Sequence, residues 1–221
     1  MIDQLIVGNK ASYDDFEASV KERHIGAAPK KSVKETVPFS NVTYDFSAIN
    51  GEIYWGERSL EYVFEITGDT PEEMEAKKGV FLSWIMNIKE EELHDPFIRG
   101  YHFIATYEDV DPDDSEVEKT TLTVTFTAYP YMISNEIKTV SKPLAANVDA
   151  HVNITNNSSH RIVPTFVSDV PFTVTMGGAS YSVPAGETTD DDFMFAAGEN
   201  QLTVRATKNG TLTIRFYEEV F

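Results

Sequence analysis

One acidic segment contains the residues that are best spaced for metal chemistry. Asp109, Asp111 and Asp113 have the spacing of the first three calcium ligands of an EF-hand loop. That loop requires glycine at its sixth position and glutamate at its twelfth. Asp114 and Thr120 stand at those two positions here. The segment therefore predicts the solvated tip of a long hairpin rather than a calcium site.

A second acidic run and the histidines are the remaining candidates for chemistry. The acidic run is Asp190–Asp192. Acid–base catalysis would need these carboxylates in a cleft that separates their pKa values. Three consecutive acids instead predict an exposed turn that leads into a strand. No two histidines have the His-x-x-x-His spacing of a metal site. The five are His24, His94, His102, His151 and His160.

The adjacent pair His94-Asp95 could act as a base with its orienting acid. The sequence contains no Gly-x-Ser-x-Gly elbow and no cysteine to serve as the nucleophile. We therefore expect a loop pair there. We expect no catalytic, cofactor-binding or metal-binding residues in this chain, and no enzyme.

Composition narrows the class of protein. The 221 residues are 41% hydrophobic, which is enough for a real core, and the absence of cysteine excludes disulfides and thiolate sites. The amino terminus lacks a basic region followed by an apolar run, and no apolar stretch reaches the roughly 20 residues that span a bilayer. We therefore expect a protein that is made and assembled in a cytoplasm.

The net charge of −18 disfavours binding to the backbone of nucleic acid, because each phosphate contact needs a cation. Two interpretations of the surplus acids remain open. They form the acidic surface of an ordinary soluble protein, or they line a channel through which DNA slides without sticking.

The amino-terminal part alternates strands with one helix. Leu60–Thr67 places apolar side chains on one face and acids on the other, as a half-buried strand does. Thr70 with Glu73 forms a capping box, and apolar residues at helical spacing then predict a helix that extends to about Ile88. Further strands are expected at 101–107 and 120–128, with an earlier one at 30–39.

The carboxy-terminal part has short β-like segments between regular turn signals, which is typical of a sandwich or barrel. Asn209-Gly210 lies between two alternating segments and predicts a hairpin. Pro143 and its small neighbours, within 135–147, predict a linker between two domains. The strands are expected near 150–156, 161–168, 171–176, 179–183, 191–195, 200–206 and 211–217.

Four aromatic residues are candidates for a role in the core or at a binding surface. Trp84 falls on the apolar face of the helix and is expected in the core. Trp55 either packs under the strand that follows it or contacts a neighbouring subunit. Tyr181 and Phe193 could form a platform for sugars, although their pattern favours the core of the sandwich.

The order of several short motifs resembles the distal tail protein (Dit) family of long-tailed phages with non-contractile tails. Glu57-Arg58 precedes the strand Leu60–Thr67, and Lys77-Lys78 and Trp84-Ile85 lie in the helix. Asp95, Tyr101 and the pair Pro130-Tyr131 follow in the same order. The resemblance covers most of the chain and rests on order and spacing rather than on any one motif.

The resemblance implies a mainly β fold with two domains. Residues 1–139 would form an α+β belt domain with a β-sheet, one helix and a long hairpin, and residues 140–221 a galectin-like β-sandwich. Family members of this size form a homo-hexameric ring at the tip of the tail, and such rings can stack. The ring joins the major tail tube protein to the tail-associated lysin or tip protein and leaves a channel for DNA.

The resemblance therefore implies a structural protein of the virion tail tip, from a phage or prophage, that has no cofactor, membrane or specific nucleic-acid partner. We expect the hairpin near Tyr101–Ala128 to contribute to the ring interface. Two alternatives remain open, namely another ring-forming tail protein, such as a tube or terminator subunit, and a carbohydrate-binding module or adhesin.

Overall fold

The computed structural model describes residues 3–48, 53–113 and 118–221. It is mostly β-strand with one helix in the described residues, which confirms the mainly β fold class. The chain divides into two compact units. The first unit ends at Met132 and also includes Phe221, and the second unit is Ile133–Val220.

The first unit contains an antiparallel sheet in the order β2-β1-β7-β8-β9-β6-β3. A separate two-stranded ladder joins β4 to β5. The strands are β1 (Ile6–Val7), β2 (Lys10–Ala11), β3 (Ser19–Ile25), β4 (Lys34–Thr36), β5 (Thr43–Asp45), β6 (Arg58–Thr67), β7 (Glu91–His94), β8 (Tyr101–Asp113) and β9 (Lys119–Ala128), and the helix is α1 (Pro71–Ile85).

The core of this unit forms because β6 and β9 both alternate apolar and polar side chains. Leu60, Tyr62, Phe64 and Ile66 of β6 are completely buried, as the two-residue period predicts. Their partners from β9 lie on the same side and are also buried; they are Phe126, Val124, Leu122 and the polar Thr120. This continuous apolar face is covered by α1.

Helix α1 begins as the sequence predicts. Thr70 is the N-cap residue and accepts a hydrogen bond from the Glu73 backbone N–H at 3.2 Å. Glu73 reaches back to accept from the Asp69 N–H. Phe81 and Ile85 are buried, while Trp84 is half-buried and its ring stacks on Phe16, with 4.3 Å between ring centroids.

The hairpin of β8 and β9 differs from its prediction. Strand β8 continues to Asp113, so Asp109 and Asp111 lie on a strand and not in a loop. Backbone pairing with the threonines of β9 sustains the strand through this acidic sequence, after a register shift between Tyr107 and Asp109. The low β-propensity of aspartate is outweighed by the ladder of a regular partner strand.

The second unit contains two four-stranded antiparallel sheets, in the orders β11-β18-β13-β16 and β12-β17-β14-β15. Strand β10 (Met132–Ser134) begins at the end of the first unit. The other strands are β11 (Lys138–Leu144), β12 (Asp149–Asn156), β13 (Thr165–Ser168), β14 (Phe172–Met176), β15 (Ala179–Val183), β16 (Gly186–Thr189), β17 (Gly198–Ala206), β18 (Gly210–Phe216) and β19 (Glu219–Val220).

Both sheets contribute to one apolar core, which confirms the predicted sandwich. Leu212 and Ile214 of β18 come from one sheet, and Leu202 and Val204 of β17 come from the other. These alternating side chains leave polar residues on the outer faces, as in other two-sheet folds.

The Asn209-Gly210 hairpin prediction is wrong. Strand β17 pairs with β12 and β14, whereas β18 pairs with β11 and β13. The turn therefore carries the chain from one sheet to the other. Burial of β17 and β18 on facing sheets outweighs the local preference of the Asn-Gly pair for a two-residue hairpin.

Two other predictions for this unit need correction. The centre of the predicted linker forms β11, where Pro143 is tolerated because β11 is an edge strand. Residues 191–195 do not form a strand, and only Phe195 makes a bridge, to Ile162. The division of the chain into a belt domain of residues 1–139 and a sandwich domain of residues 140–221 stays a prediction.

Candidate functional site

The three aspartates of the calcium pattern are spread along β8. Asp109, Asp111 and Asp113 pair with Thr125, Thr123 and Thr121 of β9. Alternate residues of a strand are separated by roughly 6.6 Å, so the strand does not curl its carboxylates round one ion as a calcium loop does. Asp114 lies outside the described residues.

The acidic run of the second unit closes on itself. The backbone N–H of Asp192 donates a hydrogen bond to the Asp190 side-chain oxygen Oδ1 at 3.0 Å. The backbone N–H of Phe193 donates one to the Asp190 carbonyl oxygen, also at 3.0 Å. The run therefore forms a local turn. Phe193 is buried and packs edge-on against Tyr181, which is half-buried, so this pair belongs to the sandwich core and its border.

His94 and Asp95, which were expected to be a loop pair, take part in two separate arrangements. The side chain of Asp95 is buried and accepts hydrogen bonds from Arg23 Nε at 3.0 Å and from the Tyr62 hydroxyl at 3.2 Å. Arg23 also binds Asp3 at 2.6 Å. This network ties the start of the chain to β3, β6 and the end of β7.

The neighbouring charges and the burial of this network shift the pKa values of Arg23 and Tyr62. Burial alone would lower the pKa of Arg23, but hydrogen bonds and charges from Asp3 and Asp95 outweigh burial and raise it. Burial, with the nearby Asp95 charge, raises the pKa of Tyr62. Arg23 therefore stays a cation and Tyr62 a neutral donor, which suits a structural role.

His94 instead lies with two residues that the sequence did not connect to it. Its Nε2 is 3.1 Å from Glu92 Oε2, and His102 Nε2 is 3.9 Å from Glu92 Oε1. The rings of His94 and His102 have centroids 5.0 Å apart. Eight positions separate the two histidines in sequence, so only the pairing of β7 with β8 brings them together.

An exposed apolar arm is the most distinctive surface of the first unit. We define the arm as residues 30–48 and 53–55, which contain the β4–β5 ladder. Of eighteen large apolar side chains exposed in the described residues, eight lie in the arm. They are Val33, Val37, Phe39, Val42, Tyr44, Phe46, Ile53 and Tyr54. Clustered exposure of this kind is typical of surfaces that bind a partner.

The arm has little to hold it in isolation. All six residues of β4 and β5 are exposed, and a lone two-stranded ladder is at best marginally stable in water. At its tip Phe39 is fully exposed and has a φ of 63°, which bulky residues rarely adopt. Such strain and exposure are typical of a segment whose packing is completed by a partner.

The base of the arm is well anchored and borders an apolar groove. Lys30 makes a backbone bridge to Trp55, and the Gly56 N–H donates to the Pro29 carbonyl at 2.7 Å. Trp55 is half-buried and packs edge-on against Phe221. The groove is lined by Ile25, Ala27, Trp55, Phe97, Ile98 and Phe221, with Arg58 at its wall.

Arg58 is an unusual wall residue because it is only 5% exposed. Its guanidinium lies 5.6 Å from the centre of the Phe103 ring, and burial lowers its pKa. Within the described residues its Nε has no hydrogen-bond partner. A buried donor in an apolar groove can be satisfied by an acceptor that a binding partner supplies.

Sequence comparison gives no relative. No family model matches the chain, and no curated protein matches it. The described residues contain no helix that is long and apolar enough to cross a membrane.

Solved structures do match. The crystal structure of the SPP1 Dit (gp 19.1) protein is similar over 100% of both chains, with a TM-score of 0.72 at 12% identity. The chain has the Dit fold. This likeness confirms, at the level of the fold, the resemblance predicted from the motif order. A chain of the phage P2 baseplate, in its activated conformation with Ca, also matches. Its TM-score is 0.44 at 10% identity, over 97% of this chain and 98% of that one.

Sequence reasoning missed the arm in this Dit fold. The signal lay in the segments 30–39 and 42–46, which mix apolar and polar side chains. Within the described residues they form a ladder with no third strand. Because exposure depends on whether another element covers a strand, the pattern alone reads as ordinary half-buried structure.

Proposed function

We propose that this protein is a distal tail protein of a phage or prophage, a structural hub at the tip of the virion tail. The observation that carries the proposal is the likeness to the SPP1 Dit protein along the full length of both chains. That protein is described as a paradigm of the hub adsorption apparatus in phages that infect Gram-positive bacteria. The hub is assembled in the host cytoplasm and acts without catalytic residues or a cofactor.

In this proposal six copies form a ring with a central channel for DNA. The ring joins the major tail tube protein on one side to the tail-associated lysin or tip protein on the other. A cyclic ring requires two different surfaces on each copy that fit each other. The arm supports one of these surfaces, because its eight exposed apolar side chains gain burial when a second copy covers them.

The groove beside Arg58 is the complementary surface that we propose for the neighbouring copy. The groove is apolar, as the arm is. The buried Nε of Arg58 needs a hydrogen-bond acceptor, and a chain this rich in carboxylates can supply one. The β8–β9 hairpin stays a predicted contributor to the interface. A deletion of residues 109–117 that leaves assembly intact would count against that contribution.

The arm can be tested by replacing Tyr44 and Phe46 with serine. Their rings stack on each other and are exposed, so the double variant removes apolar surface without disturbing the core. We expect light scattering after size exclusion to give six copies of the 24.8 kDa chain for the wild type. The variant should run as a monomer. Val148→Ser, exposed in the second unit, is the matched control and should leave the ring unchanged.

The self-assembled ring and the role of the arm can be contradicted separately. A wild-type monomer at every concentration would contradict a self-sufficient ring, and a ring that survives the double variant would exclude the arm. The hub role is tested by gold-labelled antibodies on virions from the same genome. Label at the tail tip is expected, whereas label along the tail or at the head end indicates a tube or terminator protein.

A further inference from the structure

The residues Glu92, His94 and His102 form a compact cluster on one face of the first unit's sheet. Glu92 and His94 are two positions apart on β7, so their side chains point to the same face. In the antiparallel register Glu92 pairs with Ile104 and Leu93 with Phe103. Continuing that register by one residue places His102 opposite His94, where cross-strand side chains are in contact.

The ligand atoms of the cluster are close to the spacing that one small metal ion needs. One nitrogen from each ring and one carboxylate oxygen all lie within 4.8 Å of one another. Zinc bonds of about 2.0–2.2 Å in a tetrahedral site place neighbouring ligand atoms roughly 3.4 Å apart. The two histidine–carboxylate separations, 3.1 Å from His94 to Glu92 Oε2 and 3.9 Å from His102 to Glu92 Oε1, lie on either side of that value.

The burial of the three residues also suits a metal site. His102 is 6% exposed and is held in place by its surroundings, whereas His94 is half-buried and Glu92 is exposed. In the proposed site the two freer side chains rotate, so that ligand atoms now within 4.8 Å of one another approach the roughly 3.4 Å of a zinc site. Because the cluster opens to solvent at Glu92, water can occupy a fourth position.

We propose that Glu92, His94 and His102 bind one zinc-type divalent ion, which clips β7 to β8. Two imidazoles with one carboxylate favour zinc over calcium or magnesium, because those harder ions prefer oxygen ligands throughout. The clip joins neighbouring strands through side chains in addition to their backbone pairing. Binding therefore stabilises the folded first unit by mass action.

Titration of the tag-free, EDTA-treated full chain with zinc chloride in a calorimeter tests the proposal. We expect one ion per chain, and a visible absorption band of tetrahedral cobalt when cobalt chloride replaces zinc. Loss of an outer-shell partner typically weakens metal binding about 10–100-fold, and loss of a ligand should cost at least as much. His94→Gln and Glu92→Gln should each show that loss.

His24→Gln is the matched control, because His24 is exposed on β3 and stands apart from the cluster. Its affinity for zinc should equal that of the wild type. Unchanged circular dichroism would establish that the two ligand variants remain folded. The proposal is overturned if the wild type binds no zinc, or if His94→Gln and Glu92→Gln bind it as tightly as the wild type does. In either case the cluster is only a pair of histidine–carboxylate contacts.

Discussion

At the scale of single residues, Asp95 is a buried polar side chain at the centre of one hydrogen-bond network of the first unit. It is 2% exposed and accepts hydrogen bonds from Arg23, Tyr62 and the Phe97 backbone N–H. Arg23 also lies over the Phe97 ring, with 4.0 Å between the guanidinium carbon and the ring centre. The Asp95 carboxylate therefore holds the Arg23 guanidinium, the Tyr62 hydroxyl and the backbone at Phe97 close together.

Replacement of Asp95 by asparagine should destabilise the first unit. The amide keeps the shape but not the charge, and it leaves Arg23 and Tyr62 with a weaker acceptor or none. Leaving buried donors unsatisfied costs about 1–3 kcal/mol. Both tryptophans of the chain, Trp55 and Trp84, lie in this unit. Tryptophan fluorescence during urea unfolding therefore reports the loss for this unit alone.

Asp111→Asn is the control for that measurement, since Asp111 is exposed on β8 and the substitution makes the same chemical change. Its unfolding midpoint should match the wild type. An Asp95→Asn midpoint equal to the wild type would mean that the amide oxygen accepts these hydrogen bonds as well as the carboxylate does.

At the scale of elements, the turn between β17 and β18 depends on close packing and not on hairpin geometry. Asn209 Oδ1 accepts a hydrogen bond from the Ala146 N–H at 2.7 Å, and Asp169 Oδ1 accepts one from the Thr211 N–H at 2.7 Å. A Cβ on Gly210 would lie 2.5 Å from Val170 Cγ2 and would also meet the Asp169 carboxylate. The turn thus needs glycine for space.

Replacement of Gly210 by alanine should therefore destabilise the second unit. Inserting a methyl group into a packed site costs about 1–3 kcal/mol. Hydrogen exchange of the β17 and β18 amides measures the change in this unit, since neither tryptophan lies there. Lys208→Ala, an exposed change in the same turn, should leave exchange unaltered. Equal exchange in both variants would show that Val170 moves aside freely.

At the scale of the whole molecule, net charge and apolar surface act against each other. Each chain has a charge of −18, so copies of the protein repel one another at long range. The exposed apolar side chains of the arm attract only at contact. Assembly should therefore depend on how far the repulsion extends through the solvent.

Added salt should strengthen self-association. The screening length falls from about 10 Å at 0.1 M salt to about 3 Å at 1 M, which weakens the repulsion but not the apolar contact. Sedimentation velocity at a fixed protein concentration over this range should show a rising share of the ring. A share that falls with salt would mean that ion pairs, and not the arm, hold the copies together.

The sequence by itself determined those features that depend on local chemistry. The N-cap of α1, the alternation of β6 and the short β-strands of the second unit follow from residue types at fixed spacing. The order of short motifs indicated the Dit fold, although the chain is only 12% identical to the SPP1 Dit protein.

Only the tertiary structure decided the features that depend on which elements meet. Strand pairing brought His102 to His94, and Asp95 to Arg23 rather than to its neighbour in sequence. Asn209-Gly210 connects strands of two facing sheets and does not close a hairpin within one sheet. The arm is exposed because no described strand covers it. Contacts between residues far apart in the chain outweigh local conformational preferences. The reason is that the free energy of burial grows with the whole apolar area that a strand or helix removes from water.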